Sequence, residues 1–312
     1  MGNCSSCISS NNQINAYGCL ENVIHNGGHK IGSVYSQVGA KGVNQDAALY
    51  YQGYGTEDGV FCGVYDGHGL NGHMVSKVVR NQLPSLILHQ MKFMQWDDAF
   101  VSSFKAMDKE IGLLLDNLDL TFSGSTAVVA VKQGDDLVIA NLGDSRAVLG
   151  KLTENGIQAV PLTVDLKPGV PAEAERIKAA NGRVFALENE KHIERVWLPE
   201  ENIPGLAMSR AFGDFDMKSH GIIATPVVSH HRLSSDDLFV VLATDGLWDV
   251  LSNDEVVSIV RSLKNKEMAA KTLVEEAAAA WKTKFPRAKV DDCTVVCLFF
   301  QDREDSLLSH TT

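Results

Sequence analysis

Short apolar runs that stop at an aspartate punctuate this chain. Val60 to Tyr65 gives way to Asp66, Leu238 to Thr244 to Asp245, and Leu137 to Gly143 to Asp144, while Asp291-Asp292 opens the run Thr294 to Phe300. Runs of strand length, rich in Val and Phe, read as buried strands, so each carboxylate is expected at a sheet rim on a rigid support. Further strands are predicted at about 32–37 and 47–52, and helices at about 71–92, with Pro84 bending the first, and 95–115. Ser125 to Val131 and Leu137 to Asn141 flank Gln133-Gly134-Asp135-Asp136, which predicts a hairpin continued by Ala147 to Leu149.

Pro171 to Gly182 carries Pro at its start, acids early and Gly at its end, the pattern of a short surface helix. Irregular sequence is expected from there to about 224. Ser252-Asn253-Asp254-Glu255 has capping-box spacing ahead of Val256 to Leu263, and Met268 to Lys282 is Ala-rich and helical. Hairpins and helix pairs, in place of strict strand–helix alternation, predict an α+β fold with antiparallel sheets. Residues 1–30, rich in Asn, Ser and Gly and without apolar periodicity, read as a flexible leader, so the fold is expected to start near Ile31.

At 312 residues and 45% hydrophobic, the chain is large enough for one globular domain with a full core. A net charge of -11 and no run of Lys and Arg argue against nucleic acid as a partner. The six cysteines, Cys4, Cys7, Cys19, Cys62, Cys293 and Cys297, lack the density and spacing of a disulfide framework. Cys4 and Cys7 have the spacing of half a zinc site without a second pair. No apolar stretch is long enough to span a bilayer, so the body is expected to be cytoplasmic.

Met1-Gly2-Asn3-Cys4-Ser5-Ser6 fits the myristoylation pattern, with Gly2 exposed once Met1 is removed. One myristoyl chain binds membranes marginally, with K on the order of 10⁴ M⁻¹, so anchoring needs a second signal. Residues 1–29 hold no Lys or Arg, which leaves palmitoylation of Cys4 or Cys7. The expectation is a doubly acylated enzyme on the cytoplasmic face of a membrane, the plasma membrane first, with a cytosolic pool.

Carboxylates with no thiol and few His beside them select hard cations such as Mg²⁺ or Mn²⁺. Asp245 and Asp249 are four apart across a Gly turn, so both can face one ion if the chain coils there. An Asp-Gly pair taken singly is equally the mark of an ordinary turn. His68, between Gly67 and Gly69, reads either as a general acid or as a loop histidine satisfied by a neighbouring carboxylate.

Taken in order, Lys41-Gly42-Val43-Asn44-Gln45-Asp46, Tyr65-Asp66-Gly67-His68-Gly69, Ser123-Gly124-Ser125-Thr126-Ala127, Asn141-Leu142-Gly143-Asp144-Ser145-Arg146, Leu206 to Asp214, Asp245-Gly246-Leu247-Trp248-Asp249 and Asp291-Asp292-Cys293-Thr294 resemble the metal-dependent serine/threonine protein phosphatases of the type 2C family, its plant members most of all. The resemblance covers about 31–300, with a flap at about 183–224 beside the active site and a flexible tail at 301–312. It implies two central antiparallel β-sheets sandwiched between helices, in α-β-β-α layers. It also implies two Mg²⁺ or Mn²⁺ ions, with a weaker third, and a water bridging two metals that attacks phosphoserine or phosphothreonine on proteins. Carried over by position, Asp66 bridges the metals, the Gly67 carbonyl serves the second, and Asp245 with Asp292 holds the first. Asp144 and Asp249, with Asp245, form the third site; Asp46 orients water and His68 is the proton donor. Ser209, Arg210 and Asp214 look structural.

Two departures stand out. Lys41 replaces the family's phosphate-binding Arg, keeping the charge and losing the bidentate fork. Gln45 replaces a metal-binding Glu, so the second metal is expected to bind weakly and the Mg²⁺ or Mn²⁺ requirement to be high. The hormone-receptor-binding members carry a flap Trp; Phe185 to Glu190 offers none, and Trp197 stands in another context. The resemblance implies a monomer with phosphoprotein substrates and, among partners, kinases. If Lys41 and Gln45 disable the site, the alternative is a membrane-tethered pseudophosphatase scaffold that binds phosphoproteins or kinases. A third reading is a hydrolase of small phosphates.

Overall fold

The computed structural model describes residues 22–27, 31–188 and 190–300, and Gly2, Cys4, Cys7 and the tail at 301–312 lie outside them. Two β-sheets form its centre. The first contains β1 (Val23–Asn26), β3 (Ala47–Gln52), β4 (Val60–Tyr65), β5 (Ala127–Gln133), β6 (Asp136–Leu142) and β9 (Val227–Arg232), in the order β1-β3-β4-β5-β6-β9. The second is ordered β8-β7-β10-β11-β2, from β2 (Gly32–Gln37), β7 (Arg146–Thr153), β8 (Gly156–Pro161), β10 (Asp237–Ala243) and β11 (Cys293–Phe299). Every pairing in these two sheets is antiparallel except β1 with β3.

Strand alternation sorts the apolar side chains into layers. Along β4, Phe61 and Tyr65 face the core under helices α1 (Gly72–Gln90) and α2 (Trp96–Leu114), while Val60, Cys62 and Val64 point between the sheets. Along β10, Val240 and Leu242 join that inter-sheet layer, and Phe239, Val241 and Ala243 meet the opposite helical layer. That layer contains α5 (Asn253–Ser262) and α6 (Ala269–Lys284), and with it the α-β-β-α order is complete. The capping box forms as its spacing predicts: Glu255 N donates to Ser252 Oγ (3.2 Å), and Ser252 N to Glu255 Oε2 (2.8 Å).

Two expectations are corrected. The fold begins before Ile31, because β1 lies within the stretch read as leader and takes its conformation from β3, pairing Val23 with Ala48 and Asn26 with Tyr51. The segment after α3 (Pro171–Ala179) is not irregular: Arg183–Ala186, Glu194–Trp197 and Pro204–Leu206 form a small antiparallel sheet. Phe185 stacks on Trp197 with ring centroids 5.1 Å apart, and Trp197 Nε1 donates to the Phe185 carbonyl (3.0 Å). Trp197, 4% exposed, is therefore part of the flap's own core. Among the described residues no helix is long and apolar enough to cross a membrane.

Candidate functional site

Strand register gathers the aspartates at one end of both sheets. Tyr65 pairs with Ala47, so Asp66 after β4 and Asp46 before β3 are side by side. Val64 pairs with Val128 and Ala127 with Leu142, which brings the turn holding Asp144 to the same end. In the second sheet Ala243 pairs with Val295, so Asp245 meets the start of β11 and the Asp291-Asp292 pair. Asp245 opens the short helix α4 (Asp245–Trp248), and Asp249 N donates to the Asp245 carbonyl (2.9 Å), which is the coil that their four-residue spacing requires.

The carboxylates crowd one another. Burial raises the Asp66 carboxyl well above its ordinary value, the charges of Asp46, Asp291 and Asp144 raise it further, and a hydrogen bond with the Asp245 side chain pulls the other way. Asp245 is raised well above its ordinary value by burial and then by Asp66, Asp144, Asp291 and Asp249. Asp46, 1% exposed, is raised chiefly by burial, against which Thr244 Oγ1 donates to its Oδ2 (2.9 Å); its Oδ1, like Oδ1 of Asp144, is buried without a partner. Positive charge comes from the protein itself. The Lys41 ammonium contacts Asp291, and Lys167 Nζ lies 3.4 Å from Asp144 Oδ2.

Several oxygens here are therefore short of a partner, and all are hard donors, a chemistry that fits Mg²⁺ or Mn²⁺. Among the described residues no three or more His, Cys, Asp or Glu side chains stand in an arrangement that holds a metal as it is. Lys41 reaches Asp291 and Lys167 reaches Asp144, so cations of the protein itself share the cluster while its acids repel one another. Gly67 lies close beneath the cluster: a Cβ there would meet the Gly72 and Gln45 carbonyls at 2.5 and 2.6 Å, so only Gly permits this approach. The Gln45 amide nitrogen donates to the Gly69 carbonyl (2.7 Å), leaving the amide oxygen of Gln45 as the donor for a cation.

One assignment moves. Both oxygens of Asp292 are taken by backbone donors, Gly39 N on Oδ1 and Gln45 N on Oδ2, each at 2.8 Å, so Asp292 clamps the Lys41–Asp46 loop onto β11. Its neighbour Asp291 is the residue whose charge reaches Asp66, Asp245 and Asp249. Adjacent carboxylates at a strand start project to opposite sides, and nothing in the sequence pattern says which one faces the cluster. Sequence reasoning also passed over Lys167, which sits in a stretch with no period, and quoted Arg146 without giving it a role. The guanidinium of Arg146 holds Asp165 through two bonds of 2.8 and 2.7 Å and lies 5.1 Å from the Trp248 ring centre, bracing the Asp245–Asp249 turn.

His68 stands at the edge of this site with Nε2 2.7 Å from Asp214 Oδ2. Burial lowers its pKa, but the charge and hydrogen bond of Asp214 outweigh burial and leave it raised. Asp214, read from sequence as structural, is thus the partner of the candidate acid. Ser209 and Arg210 do belong to the framework, since both bond to Glu173, the buried anchor of α3. Cysteine offers no competing nucleophile among the described residues: Cys62, Cys293 and Cys297 are buried, and burial pushes the Cys62 thiol up to about 12.

Comparison with known proteins leads to one family. The pattern described as "Protein phosphatase 2C" matches residues 39–284. "Probable protein phosphatase 2C 72" of Arabidopsis thaliana is 57% identical over 290 residues, covering 88% of this chain and 87% of that protein. "Probable protein phosphatase 2C 12" of Oryza sativa subsp. japonica is 48% identical over 322 residues, covering 88% and 82%. Among solved structures, the serine-threonine phosphatase 2C from Toxoplasma gondii superposes with a TM-score of 0.78 at 27% identity, covering 86% of this chain and 94% of that one.

Proposed function

Because the chain belongs to the protein phosphatase 2C family and resembles its plant members, we propose that it hydrolyses phosphoserine and phosphothreonine on proteins at the Asp66–Asp245 cluster, with Mg²⁺ or Mn²⁺ as cofactor. The observation that carries this reading is the meeting of Asp66 and Asp245, one from each sheet, in side-chain hydrogen-bond contact, with burial first and then the charges of neighbouring carboxylates raising both pKa values. Structural carboxylates are arranged to be neutralised; these are arranged to need a cation.

Asp66, Asp245 and Asp291, with the Gly67 carbonyl and the Gln45 amide oxygen, would hold the cations, and Asp144 with Asp249 would hold a weaker third. When bound, a pair of divalent cations supplies an activated water and neutralises the phosphoryl charge. Asp46, fixed by Thr244, accepts a hydrogen bond from the attacking water and sets its direction. Lys41, on the open rim, attracts the phosphate dianion as a point charge. His68 donates a proton to the departing serine or threonine oxygen, a contribution of about 10²–10⁴ in rate.

The test is phosphate release from a phosphothreonine peptide with Mn²⁺, comparing the parent with Asp66→Asn and Asp245→Asn. A loss of at least about 100-fold in both variants supports the reading, since ligand carboxylates are needed for the nucleophile itself. Turnover absent in all three would favour the scaffold reading instead, and faster turnover of nucleotides than of peptides would favour a small-phosphate hydrolase. We further propose that Gly2 and Cys4 or Cys7 carry the acyl chains that tether the enzyme to the cytoplasmic face of a membrane. A Gly2→Ala variant that partitions between membrane and cytosol as the parent does would refute this.

A further inference from the structure

We propose that Asp214 is the positioning residue for His68: its carboxylate holds the Nε2–H and thereby leaves Nδ1 as the nitrogen that serves the departing alkoxide. The inference rests on the hydrolytic reading above for its consequence, and on geometry for its substance. Nε2 of His68 is 2.7 Å from Asp214 Oδ2, whereas Nδ1 of His68 and Oδ1 of Asp214 are buried with no partner in the protein. An imidazole bonded through one nitrogen to a carboxylate keeps the other free of protein partners, the arrangement by which an acidic group orients a catalytic histidine.

The surroundings are built to place this carboxylate. Asp214 is 0% exposed and adopts left-handed backbone angles, φ 49° and ψ 50°, which a residue with a side chain seldom takes unless its setting imposes them. Its N–H donates to the Ser123 carbonyl (3.0 Å). The preceding Gly213 N–H donates to Asp108 Oδ1 on α2 (2.9 Å), and Lys218 Nζ holds both that same oxygen (3.1 Å) and the Ala211 carbonyl (2.7 Å). Gly124 pairs with His68 on one side and Gly213 on the other; a Cβ there would sit 2.4 Å from Asp214 Oδ2 and 2.8 Å from His68 Nε2. The short strand residues Gly67–His68, Gly124–Ser125 and Phe212–Gly213 form one small sheet whose geometry sets this contact.

In the reaction His68 starts as the imidazolium, protonated on both nitrogens: water attacks phosphorus and its protons stay with the phosphate product, the P–O bond to the substrate breaks with its electron pair going to the serine or threonine oxygen, and the Nδ1 proton passes to that oxygen, leaving a neutral imidazole. The Nε2–H stays with Asp214 throughout. A substrate with a good leaving group, such as p-nitrophenyl phosphate, needs no such proton, and this separates positioning from mere folding support.

The full-length protein with Mn²⁺ is assayed on a phosphothreonine peptide and on p-nitrophenyl phosphate, as parent, Asp214→Asn, His68→Gln and the double variant. Asp214→Asn is expected to lower the ratio of peptide to aryl-phosphate kcat at least tenfold, and to add less than about twofold to the peptide loss of His68→Gln. Equal loss on both substrates, no loss on either, or additive losses in the double variant would overturn the proposal. A second readout needs no activity: imidazole nitrogen chemical shifts of the metal-free parent, taken at a pH where His68 has lost its second proton and with His68 identified by comparison with folded His68→Gln, should show the Nε2–H tautomer. An Nδ1–H tautomer there overturns the proposal. A parent that turns over neither substrate while showing the Nε2–H form sinks the hydrolytic reading and leaves the orientation of His68 by Asp214 standing.

Discussion

Replacing Glu173 by Gln tests the joint between the flap and the sheets. Glu173 is 3% exposed at the start of α3 and accepts from Arg210 at 2.6 and 2.9 Å, from Ser209 Oγ at 2.5 Å and from Arg176 Nη1 at 2.7 Å. Burial raises its carboxyl, but the bonds from Arg210, Ser209 and Arg176 outweigh burial and hold it at about 2, against an ordinary 4.5. At roughly 1.4 kcal/mol per pH unit, that depression corresponds to about 3 kcal/mol of folding stability. The depressed value sets the sign: the stabilisation is present above pH 4.5 and drains away as pH falls toward 2. Urea unfolding of parent and Glu173→Gln, followed by tryptophan fluorescence, should therefore differ by about 3 kcal/mol at pH 7 and by about 2 kcal/mol at pH 3.5. A difference below about 1 kcal/mol at pH 7, or one that grows on acidification, would refute the reasoning.

Three further outcomes follow from the same physics. Burial and the charges of its acidic neighbours raise Asp245, so its contribution is favourable below the ordinary 3.8 and is lost as pH rises through the folded value, and its ionised form costs the metal-free fold stability. Asp245→Asn should raise the metal-free melting temperature by about 2–4 °C per kcal/mol relieved and shrink the rise that Mn²⁺ produces in the parent; a lowered melting temperature would contradict this. Gln45→Glu restores a charged donor beside Gly67 and should lower the half-saturating Mn²⁺ concentration about tenfold, measured by calorimetry, whereas saturation of the parent already in the low micromolar range would show that Gln45 does not weaken the site. Ser252→Ala breaks the capping box of α5 and should cost about 1 kcal/mol in urea unfolding, with turnover per folded molecule retained.

How far the sequence could be read depended on where each segment's order comes from. Strands β4, β10 and β11 are buried on both faces, so their apolar runs are continuous and the aspartates that close or open them mark the rim. Strands β1, β8 and β9 lie at sheet edges and are mostly half-buried or exposed, and each owes its conformation to the neighbour it pairs with, which no local pattern records. The flap strands are only three or four residues long, too short for a period to appear. At the site, Asp66, Asp245 and Asp144 were legible as strand-end carboxylates. The choice between Asp291 and Asp292 needed the positions of the Gly39 and Gln45 N–H groups, and the His68–Asp214 contact spans 146 residues, so only the folded chain brings it into view.

Whether carboxylates from two sheets form a cation-dependent hydrolytic site is decided by phosphate release from a phosphothreonine peptide across a Mn²⁺ titration. A cation-dependent site gives no turnover in chelator, activity that rises and saturates above the low micromolar range, and loss of that activity with Asp66→Asn. Turnover that persists in chelator, or that survives Asp66→Asn at saturating Mn²⁺, would contradict it.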